Sequence, residues 1–509
     1  MSVNDSFLPG GRLANVTQAA SESFEWGLSL ARALSHRGAW ESGMWKALCR
    51  AWLKVVSTDE QRSSVLTLLL GHPKLDIVAD EVAELLVHWW WTDKVADPSP
   101  ALLSEAEEIA ERIWTAAKSQ PPLSNEPING WLHEAINHPA GKVTQFWLYS
   151  LSLFKKRLGE KWPGQIPDVY LQRLAAVVSG ADRAAQLGRV VVGSQVRFLF
   201  AVDRDWTREN ILPLLDFTLS VDRARSVWDG FLSWGMWDEN IPPDLLLLYE
   251  RGLPYLLGTN HKRDRLCEHL ASIAVFGSIN PLQDGWLGKF VVQADDETIA
   301  TWSVYLRQNL ESLSDEKIAA LWDRWLALYW DRRNYGDPRP AGETEIRTIV
   351  EWLPSLRVVF TQAVARAVAL SAPEFQYTNL YARLLKRNIQ ESNPVQLLEL
   401  LLHLMPAIPP GSTLFNSDIE KLLSGIPSAS VSSEVYRRVC DELSRIGSPN
   451  AAEILAEFLT RSEETAATQD KVAKSDIFSL IASLQPGNRN KADINDQVRQ
   501  ERESWERDN

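Results

Sequence analysis

One stretch of the chain carries residue types that could bind zinc. His133 and Glu134 begin an HExxH-like pattern, in which two histidines one helical turn apart hold the metal and the glutamate acts as general base. Asn137 stands where that pattern needs its second histidine, and His138 follows one residue later, about 100° further round a helix. This spacing excludes the zinc motif. We expect His138, which precedes Pro139, to end one helix and begin the next.

Gly141 and Lys142 belong to a stretch that could be mistaken for a phosphate-binding P-loop. That motif needs Ser or Thr after its lysine and a glycine earlier, but Val143 follows Lys142 and Ile136 occupies the glycine position. We expect Gly141 to allow two helices to approach closely. Lys142 and His138 remain candidates for contact with a partner.

Three basic runs could bind phosphate groups or a nucleic-acid backbone. Each lies at a predicted helix end or turn, where cations bond to free carbonyls and complement the helix dipole. That capping role is the structural interpretation, and phosphate binding would need two runs to meet in the fold. The runs are Lys155-Lys156-Arg157, the stretch from His261 to Arg265, and Arg332-Arg333.

The sequence contains no recognisable nucleophile or acid–base pair. No serine lies in a GxSxG elbow, and no cysteine has the local surroundings that lower a thiol pKa. The paired carboxylates Asp295-Asp296 and Glu463-Glu464 fall in predicted polar turns or helix ends, without a desolvated cleft that would separate their pKa values. We therefore predict no catalytic residue, no metal ligand and no cofactor. An enzyme whose residues converge only through the fold stays open.

The composition indicates a folded protein with an excess of acidic residues. Of its 509 residues, 53 are basic and 66 acidic, so the formal charge of -13 disfavours general attraction to nucleic acid or anionic membranes. Cys49, Cys267 and Cys440 form no CxxC pair, and the N-terminus lacks the pattern of a secretion signal, which favours the cytoplasm. The apolar runs 190–202 and 358–370 each contain an arginine and are too short to cross a bilayer.

Apolar residues recur every three or four positions through most of the chain, as amphipathic helices require. In the segment 102–117, Ile109, Ile113 and Trp114 share one apolar stripe, and the glutamates lie largely on the other side. The alternation of apolar and polar residues that is typical of strands is almost absent. The segment 190–202 is the main candidate for a strand, and we interpret it as helix. More than a dozen helices joined by short turns predict an all-α fold, either a HEAT-like solenoid or stacked helical pairs.

Tryptophan usage suggests where the chain divides. Of 22 tryptophans, 21 lie between Trp26 and Trp352. The residues after Trp352 must therefore pack their core largely with side chains other than tryptophan. The final stretch of the chain is polar. We therefore expect a Trp-rich helical array over 1–340, a second helical subdomain over 341–462 and a partly disordered tail over 463–509.

The triplet Trp89, Trp90 and Trp91 is too wide to be buried on one helix face, because consecutive residues are about 100° apart. A helix sandwiched inside the stack is the structural interpretation. The functional one is an aromatic anchor for a partner, since tryptophan is enriched in binding hot spots.

Tryptophan, glycine and proline also mark the segments 23–31, Trp40 with Trp45, 131–151, 212–216 and 228–235. Together these segments resemble an uncharacterised helical domain found C-terminal to sirtuin-like NAD-hydrolysing domains in bacterial antiphage proteins. The resemblance covers residues 15–400 and includes no catalytic motif. It implies a sensing or scaffolding role, in which a helical array recognises an invasion signal and controls a toxic effector.

The chain departs from that pattern in one respect. It has no Gly-rich dinucleotide loop and no room upstream for a sirtuin fold, so NAD hydrolysis is not expected of it. Two interpretations would fit this departure: a sensor whose effector is a separate polypeptide, or a fragment of a longer protein.

We therefore expect a non-catalytic sensor, adaptor or scaffold that binds a protein partner in bacterial antiphage defence. Two alternatives stay open: a phosphoester or nucleotide hydrolase with a site assembled by the fold, and a helical repeat protein that binds nucleic acid. The candidate binding residues are Trp89, Trp90, Trp91, His138, Lys142, Lys155, Lys156, Arg157, Arg332 and Arg333.

Overall fold

The protein is described here by a computed structural model. The described residues are 10–91, 98–235, 243–258, 262–283, 285–374, 378–412 and 414–465, with 467, 495–496, 498–500 and 502. Within these ranges the regular elements are helices and no strand occurs, which confirms the predicted all-α fold. The apolar run 190–202 is helical on both sides of Gln195. Most of the predicted tail, 463–509, lies outside the described residues.

The helices follow one another along the whole described chain. They are α1 (Gly10–Glu22), α2 (Phe24–His36), α3 (Ser42–Trp52), α4 (Asp59–Leu70), α5 (Ala79–Trp91), α6 (Pro100–Ala117), α7 (Trp131–Ile136), α8 (Pro139–Leu158), α9 (Asp168–Ser179), α10 (Arg183–Ser194), α11 (Val196–Val202), α12 (Arg204–Asn210), α13 (Val221–Trp234), α14 (Pro243–Leu256), α15 (Arg263–Phe276), α16 (Trp286–Gln293), α17 (Asp296–Glu311), α18 (Asp315–Leu321), α19 (Ala327–Asn334), α20 (Glu343–Val350), α21 (Phe360–Ala367), α22 (Leu380–Lys386), α23 (Ile389–Ser392), α24 (Pro394–Leu404), α25 (Asn416–Ser424), α26 (Ser433–Arg445) and α27 (451–465). A π-helical turn, Trp322–Leu326, joins α18 to α19.

The chain forms two compact units, Met1–Asn309 and Leu310–Asn509. The division therefore falls upstream of the boundary at 340 that tryptophan usage suggests. In the first unit, α3, α5, α8, α10, α13 and α15 contact one another in that order, and α2, α4 and α6 form a second series beside the first helices of the row. This neighbour order is expected of stacked helical pairs. The HEAT-like form of the stacking stays a prediction.

Local side-chain caps determine where several helices begin. Thr58 accepts a hydrogen bond from the backbone N–H of Gln61, whose side chain accepts one from Thr58 in return, so α4 begins with a capping box. His138 caps α8: its Nδ1 lies 3.2 Å from the backbone nitrogen of Ala140, and Pro139 occupies the first helical position. The predicted helix boundary at His138 and Pro139 is confirmed.

Helices α10 and α13 approach one another through paired glycines. A Cβ atom added to Gly193 would lie 2.6 Å from the carbonyl oxygen of Val227, and one added to Gly230 would lie 2.0 Å from that of Val190. Real Cβ atoms do not approach oxygen so closely, so only glycine permits this spacing at either position. The two backbones are therefore in direct contact.

In the second unit, Arg333 is held inside a buried polar network. Its guanidinium lies 2.6 and 2.8 Å from the two carboxylate oxygens of Glu345, and both side chains are almost completely buried. It also donates to the carbonyl oxygens of Asp337 and Arg339, at 3.0 and 2.6 Å. The expectation of Arg333 as a surface cation, whether a helix cap or a phosphate ligand, is therefore wrong. The segment 335–340, which follows α19, therefore folds against this arginine.

Replacing Gly230 by alanine should destabilise the first unit by about 1–3 kcal/mol or more, because the new methyl group must displace a backbone carbonyl. Gly288 is the matched control: it lies in helix α16 with no neighbouring atom within 4 Å of an added Cβ. Gly288→Ala should raise stability by about 0.5–1 kcal/mol through helix propensity. Equilibrium urea unfolding, followed by tryptophan fluorescence, measures both. Equal stability of the two variants would contradict the close approach of α10 and α13.

Candidate functional site: two clefts beside helix α13

The C-terminal half of α13 separates two clefts in the first unit. Asp229 and Leu232 line one of them, and Ser233 and Trp234 line the other. The helix is held in place by its glycine contact with α10 and by Trp228, whose indole N–H donates to the carbonyl oxygen of Leu215 at 2.8 Å. The side chains of α13 that line the two clefts are therefore held at fixed positions relative to each other.

The first cleft, which we name the apolar cleft, has a volume of about 840 Å³. Helices α5, α8, α10, α11, α13 and α15 contribute its walls, and Trp234 lines it while remaining 46% exposed. A large, half-exposed indole beside a concave surface is unusual for a side chain that only packs a core. The lining residues are Val87, Gln145, Leu148, Tyr149, Ser152, Val191, Ser194, Gln195, Phe198, Ser233, Trp234 and Arg265.

Three polar side chains of the apolar cleft form bonds within their own helices. The hydroxyl of Ser194 donates to the carbonyl oxygen of Val191 at 2.7 Å, and that of Ser233 donates to the carbonyl oxygen of Asp229 at 2.6 Å. Arg265 forms an ion pair with Glu268. The described lining contains no carboxylate, histidine or cysteine.

The second cleft, which we name the ionic cleft, has a volume of about 440 Å³ and contains a buried ion pair. One carboxylate oxygen of Asp229 accepts from the backbone N–H of Leu132 at 2.7 Å, and the other lies 3.3 Å from Nζ of Lys262. Asp229 thereby supplies an N-terminal cap to α7 from a different helix. Gly130, which precedes α7, has φ +85°, a conformation that favours glycine. Lys262 also donates to the hydroxyl of Ser233, which lines the apolar cleft.

An aromatic pair forms one wall of the ionic cleft. The rings of Phe217 and Tyr255 are stacked with centroids 4.4 Å apart and an interplanar angle of 3°. Phe217 is buried, whereas Tyr255 is 39% exposed. Arg225 and His133 also line the cleft, with Arg225 half-buried and His133 exposed. The cleft therefore combines an open aromatic ring with two cations, Arg225 and Lys262.

Trp89 and Trp90 lie inside the helical stack. They are 4% and 8% exposed. The guanidinium of Arg62 lies 5.7 Å from the centre of the Trp89 ring, and Trp90 meets Phe146 edge-on at 5.2 Å. Neither indole presents a surface to a partner, which corrects the expectation of an aromatic anchor at these two positions. The side chain of Trp91 lies outside the described residues.

Lys142 joins two helices instead of facing a partner. Its side chain is 9% exposed, and its Nζ lies 2.8 Å from the carboxylate of Asp80 and 3.1 Å from that of Glu84 on α5. The neighbouring Gly141 confirms the predicted close approach, because an added Cβ would lie 1.8 Å from the carbonyl oxygen of Ala135. The expectation of Lys142 and the capping residue His138 as partner contacts is replaced by these structural roles.

The basic run at the end of α8 bonds to carbonyls of other segments. Lys155 donates to the carbonyl oxygen of Ala201 and Arg157 to that of Pro98, while Lys156 is exposed. Ala201 lies in α11 and Pro98 precedes α6, so these bonds join α8 to other segments and do not cap the carbonyls of α8 itself. In the second unit, Arg332 is partly exposed and lies 3.7 Å from Asp337. Of the remaining run, His261 falls outside the described residues, and Lys262 belongs to the ionic cleft.

Comparison with protein families, with characterised proteins and with solved structures finds no match to this chain. Within the described residues, no group of three or more His, Cys, Asp or Glu side chains could hold a metal ion. No helix among them is long and apolar enough to cross a membrane. The geometry of the two clefts is therefore the main structural guide to function.

His269, packed behind α13, should make the stability of the protein depend on pH. Burial and the nearby Arg265 lower its pKa to about 3, and its Nδ1 lies 2.7 Å from the hydroxyl of Tyr249. In the unfolded chain a histidine has a pKa of about 6.5. Between these values the unfolded state binds one more proton, so the free energy of unfolding should fall with decreasing pH by up to about 1.4 kcal/mol per unit.

Urea unfolding at a series of pH values between about 3 and 7 measures this slope. His269→Phe should reduce it by the contribution of one proton. The matched control is His36→Phe, at the exposed end of α2, which should keep the wild-type slope. An unchanged slope in His269→Phe would show that this histidine is not held neutral in the folded protein.

Proposed function

We propose that the protein is a non-catalytic adaptor or sensor that binds a segment of another protein in the apolar cleft. The observation that carries this proposal is Trp234, an indole 46% exposed at a cleft whose other described lining residues are apolar or uncharged except for Arg265. Tryptophan contributes heavily to binding energy when a partner removes it from water. Burial of such a ring by a partner would offset the cost of leaving it exposed in the free protein.

The chemistry of the walls defines the segment that fits. Leu148 and Phe198 offer apolar surface, and Gln145 offers an amide that can donate to and accept from a peptide backbone. Arg265 is the charged residue of the described lining, and its pairing with Glu268 reduces its attraction for a carboxylate. The volume of about 840 Å³ lies within the range of about 300–1,000 Å³ typical of ligand sites. We therefore expect an uncharged segment with one bulky apolar side chain.

The alternatives have less support from the described residues. A hydrolase needs a base near its nucleophile, and the hydroxyls of Ser194 and Ser233 donate to helix carbonyls instead. A nucleic-acid interface needs a surface of available cations, whereas Lys155 and Arg157 bond to protein carbonyls and Arg333 is buried.

We place this binding function in bacterial antiphage defence, within a reducing cytoplasm. Two of the segments that resemble the antiphage helical domain, 131–151 and 228–235, contribute residues to both clefts. The three cysteines are buried as free thiols, which suits a reducing compartment. The partner expected here is a separate effector protein that carries the toxic activity.

Trp234→Ala should weaken the complex with the partner at least tenfold, because the mutation removes its central apolar contact. A photoreactive phenylalanine analogue at Phe198 identifies the partner by crosslinking in the native host, and calorimetry with the purified pair then measures affinity. Trp26, which is 44% exposed and is not among the residues that line the cleft, is the matched control. Trp26→Ala should bind within about twofold of wild type. No crosslink at Phe198, or equal affinity of Trp234→Ala and wild type, would refute the cleft as binding surface.

Loss of the gene should increase phage plaquing on the native host, if its partner is an effector in defence. Complementation with wild type or Trp26→Ala should restore protection, and complementation with Trp234→Ala should not. Plaque counts over a panel of phages, with protein levels checked by immunoblot, measure this. Equal plaquing with and without the gene across the panel would remove the defence setting while leaving the binding function to the affinity measurement.

A further inference from the structure

The ionic cleft combines features that the proposed protein-binding function does not use. It is an open concave space of about 440 Å³, within the usual range for small-molecule sites. Two cations, Arg225 and Lys262, reach it from α13 and from the start of α15, and Tyr255 brings a partly exposed ring from α14. Groups from three helices therefore converge on one space.

Lys262 retains hydrogen-bonding capacity toward the cleft. Its ammonium group has three N–H bonds, of which one is directed to Ser233 and one to the carboxylate of Asp229. Its side chain is 22% exposed. Asp229, in contrast, already accepts from the backbone of Leu132 and faces Lys262 with its other oxygen, so it has little capacity to hold a cation.

Arg225 supplies the charge that favours an anion. It is half-buried at the cleft, and no described residue forms an ion pair or hydrogen bond with it. Lys262 and Asp229 pair with each other, and Arg225 lies in the same lining without an ion-pair partner among the described residues. Glu126 is exposed in the cleft lining, where solvent screens it. A guanidinium offers paired N–H donors that match a phosphate or carboxylate group.

Tyr255 supplies a surface for a flat ring. Phe217 covers one face of it, with the two ring planes 3° apart, which fixes the orientation of the tyrosine. Aromatic rings of ligands stack on such a fixed face with a gain of about 1–3 kcal/mol. An anion alone would leave this surface unused, and an aromatic ring alone would leave Arg225 unpaired.

We propose that the ionic cleft binds a planar aromatic anion, its ring stacked on Tyr255 and its phosphate or carboxylate group bound by Arg225 and Lys262. A nucleoside monophosphate and an aromatic carboxylate share this chemistry. This site is distinct from the apolar cleft, and its existence does not depend on the protein partner proposed above.

Calorimetric titration of the full chain with a panel of planar anions tests the proposal. The panel is adenosine, guanosine and uridine 5′-monophosphate together with 4-hydroxybenzoate, and adenosine and inorganic phosphate report the ring and the anion separately. At least one planar anion should bind at least tenfold more tightly than adenosine or phosphate. Its affinity should fall as salt rises, because the anion is held by charge. A preference for nucleotides over 4-hydroxybenzoate would identify phosphate as the anionic group, and the reverse would identify carboxylate.

Two variants with matched controls locate the binding. Arg225→Gln and Tyr255→Ala should each weaken the best ligand at least tenfold. Arg223→Gln, exposed on the same helix, and Tyr335→Ala, 89% exposed in the second unit, should leave affinity unchanged. Circular dichroism and thermal unfolding confirm that each variant folds. No saturable binding by any panel member up to about 1 mM, or binding that both site variants retain, would overturn the proposal.

Discussion

The close contact between α10 and α13 is the constraint on which the arrangement of the first unit depends. Gly193 and Gly230 place each helix against a carbonyl of the other, so neither helix can rotate without a clash. Gly188, also on α10, allows a similarly close approach to α8, because an added Cβ would lie 2.9 Å from the hydroxyl oxygen of Thr144. Rows of helices in contact at backbone distance have little freedom to slide. The fixed spacing of these helices therefore determines the shape of both clefts.

Because α13 is rigid, a buried carboxylate on it can stabilise the fold by bonding to neighbouring segments. Asp229 is 8% exposed, and an isolated charge at that depth would be costly. Its cost is offset because the Leu132 N–H and the Lys262 ammonium lie within reach of its two oxygens. In the second unit, the cost of burying the charge of Glu345 is likewise offset, because the guanidinium of Arg333 donates two parallel hydrogen bonds to its carboxylate. In each case the partner comes from a different segment, so the charges join elements of the fold together.

The sequence predicts the elements of this fold well and their mutual contacts poorly. Helix periodicity, the boundary at His138 and the close approach at Gly141 follow from local rules and are confirmed. The burial of Arg333 does not follow from such rules, because a helix pattern shows which face is apolar but not which face meets it. Trp234 carries no motif, and the sequence indicates Lys262 only as part of the basic run 261–265; the clefts that they line form only when α13 and α15 come together. The local signal for Asp229 is a carboxylate within the apolar run 227–232.

Lys262 gives the two clefts a physical connection. Its ammonium group bonds to Asp229 in the ionic cleft and to Ser233 in the apolar cleft, across a single turn of α13. An anion bound to the third N–H would draw the ammonium group toward the ionic cleft, so the bond to Ser233 would weaken as the anion bound more tightly. Because such coupling is reciprocal, a partner that pressed on Ser233 would alter the affinity for the anion equally. If the proposed anion and the proposed protein segment both bind, they would influence each other through this one lysine, which is the behaviour expected of a sensor.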